Sequence, residues 1–127
     1  MGDKELKHIL VVDDDFEVTE TLKHALTREG FEVSVAADGN LGIARAETQR
    51  PDLLILDMMM PKRSGFLVLE YLRQSENNST IPVIMITGNK GNRHRQYAEL
   101  LGVNDYIQKP FAIDRILDSV KKLLDDQ

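Results

Sequence analysis

The segment that decides the fold is Pro51-Asp52-Leu53-Leu54-Ile55-Leu56-Asp57-Met58-Met59-Met60-Pro61. Its apolar run, Leu53 to Leu56, has the length of a strand that is covered on both faces, as in the middle of a parallel sheet. Asp57 follows directly, at the carboxyl end of the predicted strand, where open α/β sheets bind ligands. A single Asp in this position is more often a loop cap than a functional group. The role of Asp57 therefore has to be judged from the residues at the other strand ends.

Four further apolar segments have the features of strands, and stretches with helical spacing of apolar residues separate them. Strands are predicted at 8–12, 31–35, 53–56, 82–87 and 105–108, and helices at 18–29, 41–50, 65–73, 96–101 and 113–124. A turn is predicted at 37–40, and residues 88–95 are predicted to be poor helix formers because they include two glycines and two asparagines. The alternation predicts an α/β fold, a five-stranded parallel sheet with helices on both faces, in a (βα)5 flavodoxin-like order.

Composition and charge exclude several classes of function. The net charge of −5 argues against direct nucleic-acid binding, which needs a basic surface. The absence of cysteine excludes disulfides and thiolate chemistry. We find no apolar run long enough to span a membrane and no apolar signal core at the N-terminus. We expect one cytoplasmic domain over residues 1–127, without an output domain and without membrane contact.

Polar residues with complementary chemistry end four of the five predicted strands. Asp13 and Asp14 follow the first strand, Asp57 the third, Thr87 ends the fourth, and Lys109 follows the fifth. Because these ends share one edge of a doubly wound sheet, the side chains can converge. Three carboxylates together repel each other unless a cation compensates, and Mg²⁺ prefers such oxygen ligands. With a hydroxyl and an ammonium, the set fits phosphoryl transfer onto a carboxylate.

These residues and their flanking segments resemble the receiver domain of two-component response regulators, the CheY-like family. The resemblance covers nearly the whole chain, from Ile9 to about Leu124. It is carried by the following segments in order: Ile9-Leu10-Val11-Val12-Asp13-Asp14-Asp15, Pro51 to Asp57 with Met60-Pro61 and Gly65, Ile86-Thr87-Gly88, Gly102-Val103-Asn104-Asp105-Tyr106, and Lys109-Pro110-Phe111. Each segment is a weak signal alone, and their order and spacing make the resemblance strong.

The resemblance implies a phosphoacceptor and a metal site. Asp57 is implied as the carboxylate that attacks phosphorus and becomes an acyl phosphate. Mg²⁺ is implied as the cofactor, with Asp14 as a direct ligand and Asp13 as a ligand through water. Asp57 and the main-chain carbonyl of Met59 complete the protein's share of the metal site.

The resemblance also implies a switch next to the acceptor. Lys109 is implied to pair with Asp57 before transfer and with a phosphoryl oxygen afterwards. Thr87 is implied to hydrogen-bond the phosphoryl group, and Tyr106 to follow by changing rotamer, while the small Gly88 leaves room. The Lys109–Pro110 peptide bond is expected to be cis.

Several of these residues also fit structural roles. Asp15 is expected to cap the first helix and nothing more. Thr87 or Lys109, taken alone, would be an ordinary strand residue or a solvated charge. Tyr106 fits core packing with a solvated hydroxyl as well as it fits a switch.

Three other functions compete with a phosphorylated receiver. A haloacid-dehalogenase-like phosphatase also uses an Asp nucleophile and Mg²⁺, but it needs a second Asp two residues on, where this chain has Met59. A flavodoxin-like FMN carrier would bring a phosphate against the acidic run Asp13 to Asp15, which repels it. A receiver-like docking module that does not use phosphorylation shares every motif.

The partners follow from the resemblance. A histidine kinase or a histidine phosphotransfer protein is expected to supply the phosphoryl group, and a downstream protein or a missing output domain to receive the signal. The face formed by the fourth helix, fifth strand and fifth helix is a possible homodimer surface. The protein is expected to be a signalling switch that catalyses its own phosphorylation and dephosphorylation, and not an enzyme that turns over a metabolite. A stand-alone receiver and a domain of a longer regulator both fit.

Two segments depart from the common pattern of the family. Met59 and Asn89 stand at positions that are often polar or acidic and that flank the path of the hydrolytic water, and only Asn89 can orient it. The segment 88–92 is rich in glycine and asparagine, which suits an order–disorder element, although a loop that is merely loose fits equally.

Met59→Asn is predicted to speed hydrolysis of the acyl phosphate several-fold, because an amide can orient the attacking water and a thioether cannot. Intact-mass measurements after removal of the phosphodonor give the rate. Met59→Leu, which keeps the position apolar, serves as the control and should leave the rate unchanged. Hydrolysis that is unchanged or slower in Met59→Asn would contradict the prediction.

Overall fold

The structure, a computed structural model, describes residues 6–60, 63–88 and 91–125. Strands and helices alternate along the chain in the order β1 His8–Val12, α1 Phe16–Arg28, β2 Glu32–Ala36, α2 Gly39–Gln49, β3 Leu53–Asp57, α3 Gly65–Gln74, β4 Val83–Thr87, α4 Asn92–Leu100, β5 Asp105–Gln108 and α5 Ile113–Asp125. None of the helices among the described residues is long and apolar enough to cross a membrane.

The five strands form one parallel sheet in the order β2-β1-β3-β4-β5. This confirms the predicted fold class and the flavodoxin-like order. The strand β3 lies in the middle of the sheet, and all five of its residues are buried. The apolar run before Asp57 therefore has the position that its composition predicts, with neighbours on both edges and helices on both faces.

Successive residues of each inner strand contribute to two separate apolar cores. Leu10, Leu54 and Leu56 face the core that α2, α3 and α4 cover. Their neighbours Ile9 and Ile55 face the second core, which α1 and α5 cover. The alternation follows from the period of two in a strand, and it fixes the register of the sheet because a slip of one residue would exchange the two faces.

Side-chain caps define where two of the helices begin. The Asp15 carboxylate accepts hydrogen bonds from the backbone N–H groups of Glu17 and Val18, which confirms its predicted capping role. Asp38 caps α2 in the same way by accepting from Leu41 N–H at 2.8 Å. The turn predicted at 37–40 was therefore too long, because the cap lets the helix begin at Gly39.

The start of α4 corrects another prediction. Helix was expected from Gln96, yet α4 begins at Asn92. Low propensity is overcome here by tertiary contacts, since the His94 ring packs on Phe66 at 5.9 Å between centroids and Ala98 is buried in the core. The other part of the loose segment, residues 89 and 90, lies outside the described residues.

The other end of α4 is held by a guanidinium group. Arg73 of α3 donates to the carbonyl oxygens of Leu101 at 3.1 Å, Gly102 at 2.9 Å and Ile81 at 2.8 Å. Burial lowers the pKa of this guanidinium. Arg73 thereby satisfies carbonyl groups that the end of a helix leaves without partners, and it ties them to the segment before β4.

A carboxylate at the start of β5 joins the sheet to α5. Asp105 accepts two hydrogen bonds from Arg115, at 2.8 and 2.9 Å, and one from the Ser119 hydroxyl at 2.6 Å. Burial raises the pKa of Asp105, but the bonds from Arg115 and Ser119 outweigh it and lower the pKa to about 2 from 3.8. The carboxylate therefore stabilises the fold when it is ionised.

Asp105→Asn is predicted to lower the free energy of unfolding at pH 7 by about 1 to 2 kcal/mol, since the group is partly exposed and the shift is screened. Because the folded pKa is depressed, this contribution is present above the ordinary value and is lost as the pH falls from 3.8 to about 2. Urea unfolding of both proteins as a function of pH measures it. The exposed Asp118 on the same helix is the control, and Asp118→Asn should show no such loss. A difference that is as large at pH 2 as at pH 7 would contradict the assignment.

Candidate functional site

The pairing register of β1 and β3 brings two acidic residues together. Val12 lies opposite Leu56, so the residues that follow, Asp13 and Asp57, end neighbouring strands side by side. Asp13 N–H donates to the carbonyl of Ala36 at 3.1 Å, which fixes the chain at the first strand end. The carboxylates are therefore held by backbone geometry and not by long flexible loops.

Thr87 and Lys109 reach the same edge from the other side of β3. Asp57 lies opposite Ile86 in β4, so Thr87 is one residue further along that strand. The Lys109 N–H donates to the Thr87 carbonyl at 2.7 Å, which joins the ends of β4 and β5. The Lys109–Pro110 peptide bond is cis, as the resemblance implied.

Asp13, Asp14 and Asp57 form a cluster of carboxylates. One oxygen of each lies within 4.8 Å of the others. Asp13 and Asp57 are buried, with exposed fractions of 1% and 2%, and Asp14 is exposed. Two acids of the cluster are therefore withdrawn from solvent, and the third is in contact with it.

Lys109 partly compensates this negative charge. Its ammonium lies 2.9 Å from Asp13 Oδ2 and 3.4 Å from Asp57 Oδ1. Burial by itself would lower the pKa of Lys109, but the two carboxylates outweigh it and raise the pKa above the ordinary 10.5. The ammonium is therefore charged at all physiological pH values, and it lies between two acids.

One ammonium does not balance three acids. The pKa of Asp57 is raised to about 7, because burial and the repulsion from Asp13 together outweigh the opposing effect of Lys109. Asp13 Oδ1 accepts from the Asp15 N–H at 2.9 Å, and Asp13 Oδ2 pairs with the Lys109 ammonium at 2.9 Å. A divalent cation fits this donor set, because three carboxylate oxygens within 4.8 Å of one another share a single ammonium.

Thr87 connects the cluster with Tyr106. Thr87 is fully buried, and its side chain shares a hydrogen bond with the side chain of Tyr106. The Tyr106 hydroxyl also donates to Met58 Sδ at 3.8 Å, and the residue is only 8% exposed. Burial raises the pKa of Tyr106, against the effects of Thr87 and of Arg95, so the phenol stays neutral. In this structure the Tyr106 side chain is therefore packed in the interior of the domain.

Met59 lies on the loop that follows the phosphoacceptor candidate. Its backbone N–H donates to Asp57 Oδ1 at 3.4 Å, and its side chain is 59% exposed. The Gly65 N–H donates to the Met58 carbonyl at 2.9 Å and closes this loop. Asn89 and Pro61, which the sequence interpretation also used, lie outside the described residues.

The structure thus brings Asp13, Asp14, Asp57 and Lys109 into one cluster, with Thr87, Met59 and Tyr106 attached to it. Two contacts were missed by the sequence interpretation: the Asp15 backbone N–H on Asp13, and the Met58 sulfur on Tyr106. Asp15 was given a capping role only, and Met58 none. No residue pattern signals a backbone donor, so the first could not be found without coordinates.

A family model, described as the response regulator receiver domain, matches residues 9–121. The chain belongs to this family. Proteins of the family are two-component signalling switches, so the resemblance read from the sequence is confirmed. The cluster of Asp13, Asp14 and Asp57 lies within the residues that the family model matches.

Curated relatives include transcriptional regulators of two-component systems. CpxR of Klebsiella pneumoniae subsp. pneumoniae (strain HS11286) is 40% identical over 119 residues, covering 94% of this chain and 50% of the relative. The alkaline phosphatase synthesis transcriptional regulatory protein PhoP of Bacillus subtilis (strain 168) is 37% identical over 118 residues, covering 93% of this chain and 48% of the relative. The chain therefore spans about half the length of the curated relatives that it matches.

Solved structures of receiver domains match the whole fold. A CheY-like response regulator receiver domain protein from Methanospirillum hungatei JF-1 has a TM-score of 0.90 at 31% identity, covering 96% of each chain. The chemotaxis protein CheY4 of Vibrio cholerae has a TM-score of 0.89 at 28% identity, covering 94% of this chain and 100% of CheY4. The order and length of the elements are therefore those of a receiver domain.

Asp57→Asn is predicted to stabilise the metal-free protein at pH 8 by about 1 to 3 kcal/mol, because a raised pKa means that folding disfavours the ionised carboxylate. The gain should disappear below the ordinary pKa of 3.8, where the carboxyl is protonated in both states. Thermal unfolding in EDTA at several pH values measures it. Asp15→Asn is the control and should behave like the wild type, since Asn also caps helices. A less stable Asp57→Asn at pH 8 would contradict the prediction.

Proposed function

We propose that the protein accepts a phosphoryl group on Asp57, in a Mg²⁺-dependent reaction, from the phosphohistidine of a histidine kinase or a histidine phosphotransfer protein. One observation carries the proposal: a nearly buried carboxylate lies between an ammonium at 3.4 Å and the other acids of a cluster. Positive charge beside this carboxylate would stabilise the negative charge of a phosphoryl group during transfer.

Asp13, Asp14, Asp57 and the Met59 carbonyl are the residues that would hold Mg²⁺. When bound, the cation supplies positive charge for the oxygens of the phosphoryl group and keeps the Asp57 carboxylate ionised. The three carboxylate oxygens within 4.8 Å of one another and the raised pKa of Asp57 support this assignment.

The transfer is a displacement at phosphorus. An Asp57 oxygen forms the new P–O bond as the P–N bond of the phosphohistidine breaks. The electron pair stays on the imidazole nitrogen, which is left neutral when the ring enters protonated. Asp57 needs no general base, since it reacts as a carboxylate. In dephosphorylation, water attacks the phosphorus and releases inorganic phosphate, and the exposed Met59 leaves that path without a polar side chain from this position.

Lys109 provides charge on both sides of the reaction. Before transfer its ammonium pairs with Asp57 and Asp13. After transfer Asp57 has lost its charge as a free carboxylate, and the ammonium binds a phosphoryl oxygen in a charge-assisted hydrogen bond. Asp13 keeps the ammonium near the site throughout, because its contact with Lys109 is the shorter one.

Thr87 and Tyr106 transmit the change to the surface. The Thr87 hydroxyl bonds to Tyr106, so a bond from Thr87 to a phosphoryl oxygen would compete with the one to Tyr106. The loss of that bond changes the packing of a buried ring beside α4 and β5. A downstream protein, an output domain or a second copy that binds the face of α4, β5 and α5 would sense the change.

Incubation with Mg²⁺ and acetyl phosphate is expected to add one phosphoryl group, detected by intact mass. Asp57→Asn should abolish the addition, and Lys109→Met should slow it by roughly a hundredfold, as expected for a lost electrostatic partner. Asp15→Asn, at the third acid of the run, is the matched control and should react like the wild type. EDTA should prevent the reaction in every variant.

Absence of the modification in the wild-type protein, with acetyl phosphate and with a phosphorylated histidine phosphotransfer protein, would contradict the proposal. The chain would then act as a docking module of receiver fold. Modification that persists in Asp57→Asn would show that another residue accepts the phosphoryl group.

A further inference from the structure

Gly39, the first residue of α2, lies against the loop that follows Asp57. A Cβ atom built on Gly39 would be 2.6 Å from the Arg63 carbonyl oxygen and 2.9 Å from Arg63 Cβ and Val68 Cγ2. These distances are shorter than real Cβ contacts allow, and the closest atom belongs to backbone. Only glycine lets the loop at residue 63 come this near to α2.

The same loop makes a second close backbone contact, at Gly65. A Cβ on Gly65 would be 2.3 Å from the Asp57 carbonyl oxygen and 2.8 Å from Met58 Cα. The Gly65 N–H donates to the Met58 carbonyl at 2.9 Å. The start of α3 therefore rests directly on the Asp57–Met58 peptide.

The loop between these two contacts carries Met59, whose carbonyl belongs to the proposed metal site. Gly65 is adjacent to the site, whereas Gly39 reaches it only through the backbone at Arg63. Arg63 is two residues before Gly65, which is packed on the Asp57–Met58 peptide directly before Met59. A displacement of Arg63 would therefore move the start of α3 against that peptide and so shift the Met59 carbonyl.

Helix propensity does not explain glycine at this position. Asp38 is the N-cap, and the first helical residue after a cap is better occupied by alanine than by glycine, which costs up to about 1 kcal/mol in a helix. A residue that weakens α2 is thus present where the loop leaves no space for a side chain.

We propose that Gly39 is a positioning residue for the phosphoryl site: it lets the loop after Asp57 lie against α2 and so sets the place of the Met59 carbonyl. The inference rests on the proposed function, because it assumes that this carbonyl serves Mg²⁺ binding. It adds a residue from α2, an element that supplies no side chain to the acidic cluster.

Gly39→Ala is the test, and the backbone amide signals of ¹⁵N-labelled protein are the measurement. The metal-free variant should show shifted Met59 and Met60 amides, and a titration with Mg²⁺ should give a Kd raised roughly tenfold, as for other residues that orient metal ligands indirectly. Phosphorylation by acetyl phosphate should require correspondingly more Mg²⁺ and reach the same extent at saturation.

Gly30→Ala is the matched control. Gly30 has a φ of +97° and no atom within 4 Å of a built Cβ, so alanine strains the backbone without touching the loop. This variant should unfold at a lower urea concentration and keep the wild-type Kd for Mg²⁺. It separates a loss of stability from a displacement of the site.

An unchanged Mg²⁺ affinity and unshifted Met59 amide in Gly39→Ala would overturn the inference, while a wild type that binds Mg²⁺ and is phosphorylated would leave the proposed function standing. A wild type that does neither would overturn both. Should Gly39→Ala fail to fold, Arg63→Gly takes its place, because it loosens the loop at the same contact. Its Kd should rise several-fold, and an unchanged Kd would overturn the inference.

Discussion

The structure depends on the contact of one ammonium with two buried carboxylates. Lys109, which follows β5, lies 2.9 Å from Asp13 and 3.4 Å from Asp57, at the carboxyl ends of the neighbouring strands β1 and β3. Without that charge, two acids with almost no solvent would be left facing each other at the edge of an apolar sheet. With it, burial and the repulsion from Asp13 still raise the pKa of Asp57. Both effects are created by the fold itself, and a bound cation would oppose them.

The sequence predicted the sheet and the candidate site because both follow from where apolar runs end. The run before Asp57 predicts a buried strand, and the parallel order then puts Asp13 and Lys109 at the same edge. The chemistry of the cluster needed only residue types at strand ends. The distances within the cluster could not be predicted, nor could the finding that Lys109 lies closer to Asp13 than to Asp57. Both depend on rotamers and on the exact register of the sheet.

The predictions failed where tertiary contacts decide local structure. Helix α4 begins before Gln96 because His94 packs on Phe66, which is distant in sequence. The turn before α2 is shorter than predicted because the cap by Asp38 allows a helix that begins with glycine. The sequence does not identify Gly39 as a residue near the site. Its proposed role depends on having no side chain, since a side chain would collide with a loop more than twenty residues away in sequence. Such roles are visible only in coordinates.

The hydrogen bonds of Arg73 limit how α4 can move. The Arg73 guanidinium donates to Leu101 and Gly102 at the end of α4 and to Ile81 before β4, and so holds these two segments together. Translation of the whole helix would break the two bonds to Leu101 and Gly102, whereas rotation about its last turn would keep both. Rotation about Gly102 is therefore the motion of α4 that costs fewest hydrogen bonds, and the N-terminal end of the helix would move furthest in it.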